Sequence, residues 1–413
     1  MPSPPAADSP VSDPNHRIYL DHAATSWPKA QGVAEAMVDF MTNVGASASR
    51  GNHASAMKAN ELTRSLRSRL TRFVNAESAE CISFHAGCTS ALNAVIHGLV
   101  GPSHAIGKDS HLLVSAVEHN AVLRPILMAA NSANAMLEEV PSDAHGSLPV
   151  DELIGRINDA TRLVALSHVS NVTGAVQPIA DIGEAISRIN QSRDASNQIL
   201  FLCDAAQSLG YLPIDVQALG VHALAAPAHK GCGGPPGIGM LSLSPQWHDQ
   251  IQPWMQGGTG HDGRSDEMPP SMPQKLEPGT MNLPAIAGWL AAMDSMATRQ
   301  ESALVLAERS QQLHRGLNAI EGIQVFGRPG PLPIASLDFG PDLPPDDAAA
   351  ILDAEFRIEV RAGHHCAARI HKYLGTESAG TLRISGGHGT NPEEIDAVIA
   401  AVAEIAAQIT SLT

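Results

Sequence analysis

The sequence predicts an α/β protein, with a mainly parallel central sheet flanked by helices and a smaller C-terminal α+β domain. Three observations carry this expectation. Short apolar runs alternate with helical patterns through the middle of the chain. A loop rich in Gly, Pro, Ser and Asp, from Gln256 to Gly279, interrupts that alternation. Beyond it, strand and helix patterns resume in a different order.

The strand candidates before the loop are Leu112–Val117, Leu163–His168, Ile199–Asp204, Ala223–Pro227 and Ile238–Leu243. They are short and apolar, as strands buried on both faces are. Helical stretches lie between them, such as Ala180–Gln191. In such a sheet, ligands sit at the carboxyl ends of the strands. Pro284 then opens a helical region expected to reach about Ile320, with proline in a favourable first-turn position. A strand at Ile334–Phe339, a helix at Pro345–Glu355 and a strand at Thr381–Ser385 follow. Asn391 is placed to cap a last helix from Pro392, with Glu393 and Glu394 in its first turn. The expected division is a disordered tail over 1–17, a large domain over 18–290 whose first residues pack on the small domain, and a small domain over 291–413.

Composition bounds the function. The 413 residues suffice for two or three domains. Aromatic residues are only 3 %, so the core is aliphatic and base-stacking platforms are lacking. A formal charge of −16 opposes binding to nucleic acid or anionic membranes. The five cysteines are odd in number and contain no C-x-x-C pair, which argues against a disulfide framework or a zinc ribbon and for a reducing cytoplasm. The start, MPSPPAADSPVSDPNHR, is Pro/Ser-rich and lacks the apolar stretch of a signal peptide. No run is apolar enough to cross a bilayer.

Four segments carry candidate chemistry. In AAPAHKGCGGPPGIGML, a strand ends at Pro227 and His229-Lys230 meets a glycine-rich turn. A lysine presented there into a cleft loses pKa by burial and becomes nucleophilic; the plainer alternative is a surface lysine in a hairpin. In ILFLCDAAQS, Asp204 ends an apolar strand, with Gln207 close behind. A carboxylate there either holds the pyridinium nitrogen of a cofactor protonated or caps a helix. In FHAGCTSALNAVIHGL, a strand runs through Gly87 into a helix whose first N–H groups, with the Thr89 hydroxyl, suit an anion. In VRAGHHCAARIHKYLGT and GTLRISGGH, Cys366 follows two histidines, and Arg361 and Arg383 lie nearby. Donors and positive charge from His364, His365 and Arg361 are expected to favour a thiolate on Cys366. Arg383 has the planar fork that suits a carboxylate. The alternatives are a buried inert cysteine, or a metal held by His364, His365, Cys366 and His371.

Taken together, the chain resembles the group II cysteine desulfurases and selenocysteine lyases of the class V aminotransferase superfamily. The likeness runs from Ile18 to the last helix, through YLDHAATSWPKAQ, RGNHASA, AGCTSALN, VEHNAV, HVSNVTGAVQPI, CDAAQS, HKGCGGPPGIG, EPGTMN, RAGHHCA and GTLRIS in order. The resemblance implies fold-type I and pyridoxal 5′-phosphate (PLP) held covalently by Lys230. It implies Asp204 on the pyridine nitrogen, Gln207 on the ring hydroxyl and His119 stacked on the ring, where it also moves protons. Thr89, His229 and the backbone of Cys88 would hold the phosphate, as would Thr280 from a partner subunit, which implies a homodimer. Asn171 and Arg383, with Arg361, would hold the substrate carboxylate. Cys366 would take sulfur from L-cysteine as a persulfide, leaving L-alanine, and a sulfur-acceptor protein or a reductant would then unload it. An aminotransferase, a β-lyase or a selenocysteine lyase acting on a related amino acid is the alternative enzyme. A non-catalytic sulfur or metal carrier is the alternative from another class. The chain departs from the family pattern at Pro227, Cys88, Cys232 and Gly387-His388-Gly389.

Overall fold

The computed structural model describes residues 17–48, 51–260, 265–296 and 302–412. Apart from Arg17, the tail expected over 1–17 lies outside the described residues. In chain order the strands are β1 (Ile18–Tyr19), β2 (Ile82–His85), β3 (His111–Ser115), β4 (Met136–Val140), β5 (Thr161–Ser167), β6 (Leu200–Asp204), β7 (Ala223–Pro227) and β8 (Gly239–Leu243). After the loop come β9 (Gln324–Phe326), β10 (Ile334–Asp338), β11 (Ile358–Glu359), β12 (Arg361–Gly363) and β13 (Thr381–Ser385).

The large sheet has the order β2-β8-β7-β6-β5-β3-β4. From β4 to β7 all pairings are parallel, and β8 runs against both its neighbours. Helices cover both faces. On one, Leu66, Leu70, Ile182, Ile186, Ile286 and Trp289 close over Val164, Phe201 and Leu224. On the other, Leu92, Ile96, Val122 and Ile126 close over Leu112, Ala165 and Leu202. Every buried strand therefore contributes apolar side chains in both directions, which is why these segments are apolar without alternation.

The smaller sheet, β12-β13-β10-β9, is antiparallel throughout. Helices Ala303–Asn318 and Pro392–Leu412 pack on it through Leu313, Leu317, Val398 and Val402. The first described residues belong to this part of the molecule. β1 pairs in parallel with β11, and the Ser385 amide donates to the Leu20 carbonyl at 2.8 Å. The last helix starts in a reciprocal cap: Asn391 Oδ1 accepts from the Glu394 amide, and Glu394 Oε2 from the Asn391 amide, both at 2.9 Å.

Within the helical region from Pro284 to Ile320, helix Leu283–Asp294 ends at a turn at Ser295, and helix Ala303–Asn318 follows beyond residues 297–301, which lie outside the described residues. The Ser295 hydroxyl bonds back to the Ala292 carbonyl at 2.9 Å, a local bond that competes with the helical ladder. Strand β4 and the helices Ala54–Phe73 and Asn120–Ala133 had no counterpart among the expected elements.

Candidate active site

Five strand ends converge on one cavity of about 700 Å³, lined by Cys88, Thr89, His119, Asn171, Asp204, Gln207, His229 and Lys230 among others. Each side chain reaches it because the chain leaves a carboxyl end of the large sheet there.

After β2 the chain turns through Gly87 into helix Cys88–Leu99. Gly87 has φ +154°, and a Cβ built on it would meet nothing within 4 Å, so the backbone faces open space. Behind the turn packing is tight: a Cβ on Gly239 would lie 2.6 Å from the Gly87 carbonyl carbon and 2.9 Å from the Cys88 nitrogen. The turn is thus backed by β8 and open in front. The first N–H groups of the helix have no partners within it, which suits a phosphate.

Asp204 ends β6, buried. One oxygen, Oδ1, accepts from the Ala206 amide at 2.9 Å and from the Cys88 thiol at 3.5 Å. Burial, and then the charge of Asp204, push the Cys88 thiol well up, so it remains a protonated donor. Lys230 follows β7. Burial lowers the pKa of its amine, and the carboxylate of Asp204 opposes that shift. His119 caps helix Asn120–Ala133: its Nδ1 accepts from the Ala121 amide at 3.0 Å, which leaves the ring proton on Nε2. Burial lowers its pKa as well. Gln207 Nε2 donates to the Ala23 carbonyl at 2.8 Å, and His229 Nδ1 lies 3.0 Å from Thr25 Oγ1. Thr280 is not on this cavity but on an adjoining one of about 320 Å³, which shares Ala86, Ser90, Gly237 and Trp254 with it.

A buried amine of lowered pKa, an acid at a strand end and an open helix N-terminus around one cavity fit PLP. The phosphate suits the Gly87 turn, the ring nitrogen suits Asp204 and the aldehyde suits Lys230.

Arg383 and Arg361 stand beside the cavity in the small sheet. Both pair with Asp21 of the YLDHAATSWPKAQ segment, a residue given no role by the resemblance: Arg383 Nη2 to Oδ1 at 2.7 Å, and Arg361 Nη2 to Oδ2 at 2.7 Å. Arg383 Nη1 also donates to the Asn171 carbonyl at 3.0 Å.

Cys366 is exposed. It and His365 both adopt left-handed backbone, φ 57° and 49°, which non-glycine residues take only when their surroundings impose it. The imposing bonds come from the large domain: the Asn120 amide donates to the Cys366 carbonyl at 2.7 Å, and Asn171 Nδ2 to the His365 carbonyl at 2.6 Å. Of the expected positive surroundings of Cys366, the His365 ring needs correction, while Arg361 interacts electrostatically with Cys366. His365 is buried with Nε2 on the Thr381 carbonyl at 3.0 Å, and burial drives its pKa down to about 2, so the ring is neutral. His364 Nε2 sits 2.9 Å from the Glu377 carbonyl, and Arg361 is shared between Asp21 and an electrostatic interaction with Cys366. Backbone carbonyls in neighbouring segments hold Nε2 of both histidine rings.

Glu118 is a second residue beyond the sequence reading. It is fully buried beside His119 and accepts from the Ser167 amide at 2.9 Å, from the Ser167 hydroxyl at 2.8 Å and from Ser115. Its only sequence signal is a charge directly after an apolar strand.

Among known proteins, the model of the family described as aminotransferase class-V matches residues 18–398. A probable cysteine desulfurase of Methanothermobacter thermautotrophicus is 31 % identical over 401 residues, covering 94 % of each chain. One from Pasteurella multocida is 34 % identical over 393 residues, covering 93 % of this chain and 88 % of its own. The apo structure of a cysteine desulfurase from Thermococcus onnurineus NA1 matches with TM-score 0.86 at 28 % identity, covering 95 % of both chains.

Proposed function

Because this chain belongs to the class-V aminotransferase family, whose members are PLP enzymes of fold-type I, we propose that it is a cysteine desulfurase that converts L-cysteine to L-alanine. The observation that carries the reading is the Cys366 segment tied to the rim of the Lys230–Asp204 cavity, through the Asn120 amide and the Asn171 side chain.

PLP, when bound, supplies the electron sink that lets a proton leave the amino acid's α-carbon. Lys230, with its pKa lowered by burial, is the base for that proton. Asp204, with Oδ1 already accepting two bonds, has Oδ2 for the ring nitrogen. His119, neutral and protonated on Nε2, covers the site. Arg383, Arg361 and Asn171 receive the substrate carboxylate. The Cys366 thiolate attacks the substrate sulfur: a sulfur–sulfur bond forms, the carbon–sulfur bond breaks with its electron pair going to carbon, and a proton completes alanine. The exposure of Cys366 suits hand-over of the persulfide to an acceptor protein or a reductant, and a reducing cytoplasm suits the thiol. Thr280, on the neighbouring cavity, suits a homodimer in which it completes the partner's phosphate site.

The test is the purified protein with L-cysteine, with alanine and sulfide measured together under a thiol reductant. They are expected in equal amounts. Cys366→Ser is expected to keep PLP and still change its spectrum on adding cysteine, yet to form no protein persulfide and almost no alanine. Wild-type alanine production by that variant would replace this reading with a β-lyase or aminotransferase. Cys232→Ser is the control thiol.

A further inference from the structure

We propose that Asp21 is a positioning residue that aims the Arg383 guanidinium at the carboxylate of an amino-acid substrate. The inference rests on the desulfurase reading only for which amino acid that is.

The argument begins with charge. Asp21 is 7 % exposed and is shared by two guanidinium groups. Arg361 takes it through Nε at 2.9 Å and Nη2 at 2.7 Å, and Arg383 through Nη2 at 2.7 Å. One negative charge faces two positive ones, so the cluster keeps one positive charge uncompensated. Arg383 is 2 % exposed, and its Nε has no hydrogen-bond partner among the described residues. A buried cationic N–H without an acceptor is costly unless a ligand supplies one. The missing partner is therefore an anion, and the planar fork selects a carboxylate.

Position adds to charge. Arg383 Nη1 donates to the carbonyl of Asn171, a residue that lines the cavity holding Lys230. Asp21 itself is fixed: it bridges to Ser385, the Ala23 amide donates to Ser385 Oγ at 3.0 Å, and Tyr19 donates to the Asp21 carbonyl at 3.2 Å. A rigid carboxylate on one side and a backbone carbonyl on the other leave the guanidinium one orientation. Asp21 acts through Arg383 and is not itself a substrate ligand.

The experiment compares PLP-loaded wild type with Asp21→Asn, titrated with L-cysteine and with cysteamine, which keeps the amine and thiol and lacks the carboxylate. Binding is read from the change in the cofactor's visible absorption, and folding from thermal unfolding of the cofactor-free proteins. Half-saturating L-cysteine is expected to rise roughly ten- to hundred-fold, the loss of one charged hydrogen bond, while that for cysteamine stays within about twofold. Asp21→Glu should recover part of the loss. A change of equal size for both ligands, or none for either, overturns the proposal. Should Asp21→Asn fail to fold, Asp21→Glu carries the test: it keeps the charge and shifts the carboxylate against Arg383, so L-cysteine must weaken, by less than for Asn, and cysteamine must not. A wild type that binds L-cysteine but makes no alanine sinks the desulfurase reading and leaves this comparison intact.

Discussion

Lys230 and Asp204 illustrate how two side chains set each other's chemistry. Burial lowers the lysine's pKa, and the carboxylate opposes that shift. Asp204 in turn spends Oδ1 on the Ala206 amide and the Cys88 thiol, which locks the carboxylate plane. Replacing Asp204 with Asn keeps the volume and one acceptor but cannot hold a proton on a ring nitrogen. Asp204→Asn is expected to purify folded and with PLP bound, and to make alanine from cysteine about 100-fold more slowly or worse. Cofactor content and alanine rate on the same sample check this; near-normal turnover would make Asp204 a cap and nothing more.

At the scale of elements, the site is a set of strand ends held in register by packing behind them. The EPGTMN segment is anchored in the same way. Glu277 is buried and receives Arg67 bidentately, Nη1 at 2.8 Å and Nη2 at 2.9 Å, while Oε1 also accepts the Phe84 amide of β2 at 2.7 Å. Arg67 lies over the Phe84 ring, 4.6 Å from its centroid. Helix Ala54–Phe73, β2 and the loop leading to Thr280 thus share one ion pair. Glu277→Ala leaves the Arg67 charge buried without its partner and is expected to cost about 3–5 kcal/mol. Urea unfolding with an unchanged slope should show it. The double variant Arg67→Met/Glu277→Leu should recover most of the loss, because it removes both charges together.

For the molecule as a whole, burial of titratable side chains sets the acid limit. His22, His85, His168 and His371 are buried, and burial lowers each from 6.5 to about 4. Below pH 6.5 the unfolded chain binds protons at these positions and the folded chain does not. Their contribution to stability is complete above pH 6.5 and is lost as pH falls toward 4, on the order of 3 kcal/mol each. Glu118 works in the opposite sense. Burial raises it to about 7, so its contribution is present at low pH and is lost as pH rises toward 7. Four histidines outweigh one carboxyl, and the sum is comparable to the ~5–15 kcal/mol of a typical fold. The cofactor-free protein is expected to lose thermal stability steeply below about pH 6 and to unfold before pH 4. Melting temperatures measured from pH 8 to pH 4 would refute this if they stayed flat.

Much of this was legible in the sequence because it is local. Strand β7 and the Lys230 turn lie within a few residues of each other, as do β6 and Asp204, and the Asn391–Glu394 cap spans one helical turn. Apolar runs, glycine turns and caps act over such distances, so the alternating pattern and the candidate strand ends follow from the sequence alone. The rest depends on which side chains meet across the fold. Asp21 joins Arg361 and Arg383 from 340 and 362 residues away, and Arg67 finds Glu277 across 210. The histidine directly before Cys366 reads as part of a positive cluster until its ring is found buried on the Thr381 carbonyl. Burial, charge compensation and the direction of a ring are properties of the packed interior, where desolvation decides the charge state, and only the tertiary structure sets them.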